Sequence, residues 1–249
     1  MLDKSSLSTS LNNLSEQEIT RFDALADQWW DPDGKYKTAL EFNRARLEFI
    51  VQKIRHHFGT DLDGQSPLTI LDVGSGGGLI SEPLAELGFE VTGIDPSAVS
   101  IEVAKAHAQK SQVDVTYIHG LVGQLDAKAK QYDVVINAEV VEHVPDQQQL
   151  IEQCCAMVKP GGLLILATLN RTVKSWIVAI LGAEYVMGYL PIGTHSWSKF
   201  VKPEELTQWC AKSGFRQTDS VGLSLNPFSK VWSLHNNLSV NYVLSFKHD

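Results

Sequence analysis

Glu139, Glu142 and His143 bring two carboxylates and an imidazole into one short stretch. Spacings of three and four put such residues on one face wherever the stretch is helical. Two kinds of chemistry follow. The imidazole of His143 can take a proton as a general base, aided by Glu139 or Glu142. Alternatively, Glu139, Glu142 and His143 can hold a divalent cation that polarises a bound oxygen. Two carboxylates suit a hard ion such as Mg2+, while an imidazole also tolerates transition metals. A purely structural alternative is a set of acids favoured at the start of a helix.

A second group is Leu71-Asp72-Val73-Gly74-Ser75-Gly76-Gly77-Gly78, followed by Asp95. Glycine permits a sharp turn and lets backbone approach a ligand closely. The N–H groups at the start of the next helix then face that ligand. An acid at the end of the next strand, about twenty residues on, can accept hydrogen bonds from ribose hydroxyls. A nicotinamide dinucleotide site would require glycine at position 79, where the chain has Leu79.

These residues need a frame. Ser15 and Glu18 have capping-box spacing, and Phe22, Leu25, Ala26 and Trp29 continue at helical spacing. A second helix is expected from Ala39 to about His57. Strands are expected at Leu68–Val73, Glu90–Ile94, Val115–Ile118, Tyr132–Asn137 and Leu163–Thr168. Helices alternate with them at Leu79–Leu87, Ala98–Lys110 and Gln147–Val158, and Lys159-Pro160-Gly161-Gly162 reads as a turn. Pro203–Ser213 is an amphipathic helix, and Ser239–Phe246 alternates as a last strand. This order predicts an α/β fold: a doubly wound, mainly parallel Rossmann-like sheet. The expected organisation is a loose tail over 1–14, helices covering the cofactor site over 15–58, and a main domain over 66–249 with an insertion at about 172–200.

The chain has 249 residues, 43% of them hydrophobic, and a net charge of −8. That suffices for one sizeable α/β domain. An acidic chain with no basic run argues against nucleic acid as a partner. Cys154, Cys155 and Cys210 suggest neither a disulfide framework nor a zinc site, which fits a reducing compartment. No stretch resembles a signal peptide or reaches the roughly 18–20 apolar residues of a membrane span.

The glycine pattern, Asp95 and the Lys159–Gly162 turn resemble those of class I S-adenosylmethionine-dependent methyltransferases. Other segments narrow the likeness: Trp29-Trp30-Asp31, Glu139–Asp146, Thr168-Leu169-Asn170-Arg171, Gly182–Tyr185, Gly193-Thr194-His195 and Phe200–Pro203. Together they resemble the ubiquinone-biosynthesis O-methyltransferases, also called 3-demethylubiquinol 3-O-methyltransferases, from about Ile19 to the C-terminus. The resemblance implies methylation of phenolic oxygens on rings bearing a polyprenyl tail, either a catechol-type precursor or a later demethylubiquinol. It implies S-adenosylmethionine contacts at Arg46, Gly74, Asp95 and Ala138, with Arg46 on the methionine carboxylate. It leans toward Mg2+ at the acidic cluster, and implies partners among ubiquinone-biosynthesis proteins. Asp72, near the loop, would favour the sulfonium charge. Two departures stand out: Ser75 replaces a more usual cysteine, and no histidine precedes Asn43. Other readings of the same fold are a methyltransferase of another small phenol or acid, and a non-enzymatic protein that binds the cofactor.

Ser175–Pro191 is apolar on nearly all sides but contains Glu184. Three roles fit it: contact with an anionic membrane surface through about 174–191, burial in the core, or an oligomer interface. The first accords with a lipid-tailed substrate, and gives an expected location in the cytoplasm with peripheral contact to the inner membrane.

Overall fold

The computed structural model of the chain describes residues 13, 15–23, 29–31, 37–59, 67–177, 197–226 and 231–249. Its centre is a sheet of β1 (Thr69–Val73), β2 (Glu90–Asp95), β3 (Thr116–His119), β4 (Tyr132–Ala138), β5 (Val158–Leu169), β6 (Phe215–Leu225), β7 (Trp232–His235) and β8 (Asn241–His248). The spatial order is β3-β2-β1-β4-β5-β8-β6-β7. The pairs from β3 to β5 are parallel. β8 lies antiparallel between β5 and β6, and β7 is antiparallel at the edge. The doubly wound, mainly parallel sheet is as expected.

Six helices of six or more residues accompany it among the described residues: α1 (Glu16–Asp23), α2 (Lys37–Phe58), α3 (Ser81–Glu86), α4 (Ala98–Ser111), α5 (Gln147–Ala156) and α6 (Pro203–Lys212). The central strands are apolar on both sides because helices cover both faces. On one face α2 buries Phe49, Ile50 and Ile54 against Ile70, Val134 and Ile165. On the other, α5 and α6 bury Ile151 and Leu206 against Leu71, Val135 and Leu164. Each such side chain contributes about 1.5–3 kcal/mol of burial free energy. Cys154, Cys155 and Cys210 are buried free thiols in this second layer. Ser97 caps α4 through the Ser100 N–H, and Asp146 caps α5 through the Gln149 N–H.

Beyond shifts of one or two residues at element ends, three features differ from the sequence expectation. β5 starts at Val158 and takes in the Lys159–Gly162 turn; a register shift between Tyr132 and Val134 accommodates it. β6 and β7 were not anticipated, because Arg216, Thr218, Ser220 and Ser224 dilute the apolar signal of β6. Asn13, expected in the loose tail, is buried and bonds the Asp146 backbone twice, donating to its carbonyl at 2.8 Å and accepting from its N–H at 2.7 Å. The chain leaves β1 toward β2 and β3 on one side, then crosses to β4 on the other. That reversal opens a crevice at the carboxyl ends of β1 and β4, where ligands bind in such sheets.

After β5 the chain makes a helical turn at Val173–Ser175 and returns through a 3-10 turn at Trp197–Lys199. Residues 178–196, and with them most of the apolar segment Ser175–Pro191, lie outside the described residues. Among the described residues, no helix is long and apolar enough to cross a membrane.

Candidate active site

The glycine loop follows β1 into the crevice. Gly74, Gly76 and Gly78 have φ of 78°, 51° and 88°, in the left-handed region where side chains are strained. Space is short as well. A β-carbon on Gly74 would lie 2.2 Å from Val140 Cγ2, and one on Gly77 would lie 2.3 Å from Trp29 Cε3. Ile94 O anchors the loop by accepting from the N–H groups of Gly74 at 2.8 Å and Ser75 at 3.1 Å. Trp30 Nε1 donates to Gly77 O at 2.8 Å. The Trp30 ring also stacks on His107 at 3.6 Å, and His107 in turn pairs with buried Glu82 at 2.7 Å.

Asp95 ends β2 beside this loop. Its two oxygens accept from the N–H groups of Gly76 at 2.9 Å and Ser97 at 2.8 Å. Burial still outweighs those bonds and pushes its carboxyl up to about 6. Asp72, at the end of β1, is likewise pushed up to about 6 by burial, although the Ser81 hydroxyl donates to it at 2.6 Å.

The acidic cluster departs from its expected form. Glu139 has a φ of 57°, and only Val141–His143 form a 3-10 turn, so the three side chains do not share one helical face. Glu139 meets Arg46 Nη1 at 3.4 Å. Glu142 is buried; its Oε2 accepts from the Thr168 hydroxyl at 2.8 Å, and its Oε1 has no hydrogen-bond partner. His143 Nδ1 lies 3.0 Å from Glu18 Oε2. Among the described residues no group of three or more His, Cys, Asp or Glu side chains is gathered to hold a metal ion. Burial, and then the charge of Glu142, hold the Glu139 carboxyl above the usual range. Arg46 is buried: burial pulls its pKa below the usual value, while Glu139, Asp72 and Glu142 oppose that pull. Its Nη2 donates to Asn43, and its Nε has no acceptor.

A cleft of about 960 Å³, measured with its open mouth, joins these parts. Gly74, Gly76, Asp95, Glu139 and His143 all line it. Ser15, Glu18 and Ile19, with Trp29 beyond α1, form a wall. Arg46, Ala138 and Glu142 do not line it. Arg46 and Glu142 stand behind Glu139, and Ala138 is buried at the end of β4, in register with Ala167.

A methyltransferase-domain family model matches residues 39–220. A ubiquinone biosynthesis O-methyltransferase of Paramagnetospirillum magneticum is 48% identical over 233 residues, covering 92% of this chain and 93% of the relative. One of Dinoroseobacter shibae is 43% identical over 241 residues, covering 95% and 97%. The chain belongs to the ubiquinone biosynthesis O-methyltransferase family. It is an S-adenosylmethionine-dependent O-methyltransferase. Solved structures agree on the fold. The magnesium protoporphyrin IX methyltransferase of Synechocystis PCC 6803 with bound SAH has a TM-score of 0.67 at 18% identity, over 99% of this chain and 100% of that one. The plantazolicin methyltransferase in complex with SAH gives 0.63 at 19% identity, over 94% and 97%.

Within this O-methyltransferase the sequence reasoning missed three contributors. By its spacing Glu18 is half of a capping box. Its N–H does meet the Ser15 hydroxyl at 3.4 Å, but its carboxylate reaches His143. The sequence gives Trp29 helical spacing and the Trp29-Trp30 pair a place in the family likeness, and does not show it as the clasp on the glycine loop. Thr168 was noted only as part of a motif. Adjacent tryptophans at a helix break were the one available signal, since two large aromatic rings there need a partner to cover.

Proposed function

We propose that this chain moves the methyl group of S-adenosylmethionine to a phenolic oxygen of polyprenyl catechol and demethylubiquinol intermediates in ubiquinone biosynthesis. One observation carries the reading: Gly74, Gly76 and Asp95 line the same cleft as Glu139 and His143. The cofactor loop and the proton-accepting groups therefore share one space.

In this reading Gly74 and Gly76 let the backbone approach the cofactor, and Asp95 accepts from the ribose hydroxyls. Arg46 holds the methionine carboxylate; its buried Nε, a donor without an acceptor, supports that assignment. Ala138 contributes backbone beside the cofactor. A phenol has a pKa near 10, so it must lose its proton to become a good nucleophile. His143 takes that proton. The phenolic oxygen then bonds to the methyl carbon as the carbon–sulfur bond breaks and its electron pair returns to sulfur. The products are a methyl ether, a neutral thioether and an imidazolium, which gives its proton to water. Glu142 acts from behind, because its charge helps decide whether Glu139 holds a proton.

The chemistry of Glu142, which is buried, and of Glu139 at the cleft wall also suits Mg2+. Their repulsion and the unpartnered Glu142 Oε1 are features a dication relieves. His143, held by Glu18, stands outside that fit. Bound there, the ion would polarise the phenolic oxygen.

Peripheral contact with an anionic membrane, through about 174–191, belongs to the same proposal. Its support is the exposed Val173, Trp176, Ile177 and Trp197 at the described ends of the insertion, with Lys174 and Lys199 beside them. Flotation with anionic liposomes checks it: the protein rises with the vesicles, and its absence from them contradicts the contact. For the substrate, kcat/KM is compared between a short-tailed polyprenyl catechol and tail-less catechol. The tailed compound is expected to be the better substrate, and a preference for the tail-less one contradicts the substrate class.

A further inference from the structure

We infer that Glu18 is the positioning residue of His143, setting which ring nitrogen carries the proton and which takes one from the substrate. The inference rests on the reading of His143 as the proton acceptor.

Glu18 Oε2 lies 3.0 Å from His143 Nδ1, and the two side chains are only 16% and 12% exposed. They are 125 positions apart in the chain, so the contact exists only because α1 is docked over the cleft. That docking is fixed at both ends by other bonds. Ahead of the helix, Asn13 makes its reciprocal pair with the Asp146 backbone. At its end, the Ser97 hydroxyl donates to Asp23. Asp146 and Ser97 are themselves helix caps, so α1 is tied to the starts of α5 and α4. Glu18 also has capping-box spacing with Ser15. Its own N–H bonds Ser15, while the carboxylate is turned toward the histidine.

A neutral imidazole carries its proton on one nitrogen, and the partner of that nitrogen decides which. A carboxylate at Nδ1 selects the Nδ1–H form and leaves the lone pair on Nε2. Once Nε2 has accepted the phenolic proton, the same carboxylate faces a cation and stabilises it, the logic by which a buried acid orients a catalytic histidine. Both side chains being largely shielded, water competes weakly for this bond. Glu18 thus acts on the reaction through His143.

The test uses the full-length protein and the variants Glu18→Ala and Glu18→Gln. Steady-state kinetics at saturating substrate are combined with nitrogen-15 NMR of the imidazoles, His143 being assigned with His143→Gln. In the wild type the His143 proton is expected on Nδ1; in Glu18→Ala it moves to Nε2. Glu18→Ala lowers kcat by at least about tenfold, with the KM for S-adenosylmethionine changed by less than about threefold. Glu18→Gln keeps the size of the side chain and an oxygen that accepts the Nδ1 proton, so it retains the tautomer and recovers part of kcat. The inference is overturned if wild type and Glu18→Ala show the same tautomer. It is also overturned if Glu18→Ala raises KM for the cofactor and leaves kcat intact, the signature of a mere anchor for α1. A changed tautomer with both constants unchanged upholds the orientation and removes His143 from its role as base, so the two claims fail separately.

Discussion

Trp30 donates its indole N–H to the carbonyl of Gly77 at 2.8 Å, which makes the N-terminal segment the clasp of the glycine loop. Trp29 closes the same loop from the side, against Gly76 and Gly77. Trp30→Phe keeps an aromatic ring to stack on His107 but loses the hydrogen bond and part of the indole's packing surface. Its affinity for S-adenosylmethionine should fall by about 2- to 10-fold, the equivalent of 0.5–1.5 kcal/mol, in calorimetric titration. Gly77→Ala should weaken binding further, since its β-carbon would meet the Trp29 ring at 2.3 Å.

Asp95 holds the loop and is the candidate acceptor for the ribose. Asp95→Ala removes two charge-assisted bonds to backbone N–H groups together with that acceptor. Cofactor affinity should fall by about 10- to 100-fold, while Asp95→Asn, which keeps one acceptor oxygen, falls less. Equal losses in the two variants would show that the carboxylate charge alone matters.

Asp72 gives a pH signature. Its carboxyl is raised to about 6 by burial, so between about pH 4 and 6 the folded chain keeps a proton that the unfolded chain has released. This contribution to stability therefore falls as pH rises through that window. Asp72→Asn abolishes it. Urea unfolding of the cofactor-free protein should show the variant more stable at pH 8 by up to about 3 kcal/mol, with the gain vanishing near pH 4. The same variant should bind the sulfonium cofactor more weakly, since it removes a negative charge two positions before Gly74.

Much of this was legible in the sequence because periodicity and glycine act locally. Continuous apolar runs gave the strands from Leu68–Val73 to Leu163–Thr168, and Gly74–Gly78 with Asp95 gave the glycine turn after β1 and the acid that ends β2. What escaped depends on contacts between distant residues. The left-handed Glu139 breaks the single face that its spacing suggested, and nothing local marks a φ of 57° at a glutamate. Arg46 reads as a surface residue until α2 is packed against the sheet, where it is buried against Glu139. The Glu18–His143 pair spans 125 positions, which no spacing rule reaches.

His143→Gln should lower kcat by about 10²- to 10⁴-fold with little change in cofactor affinity, the range expected on losing a general base. Single-turnover kinetics with preloaded S-adenosylmethionine read this directly. A variant within twofold of wild type would remove His143 from proton transfer.

Metal dependence is checked with chelator. If Mg2+ sits at Glu139 and Glu142, EDTA-treated protein loses activity, added Mg2+ restores it, and Glu142→Ala is impaired with or without the ion. Full activity after EDTA together with a harmless Glu142→Ala would exclude the ion from the reaction.

The most direct measurement is methyl transfer itself. The protein is incubated with methyl-labelled S-adenosylmethionine and a short-tailed polyprenyl catechol or demethylubiquinol, and the products are resolved by mass spectrometry. The expected result is a labelled methoxy group on the ring, formed one-for-one with S-adenosylhomocysteine. Tight cofactor binding with no methylated product from either ring would contradict it, leaving a cofactor-binding protein without this activity.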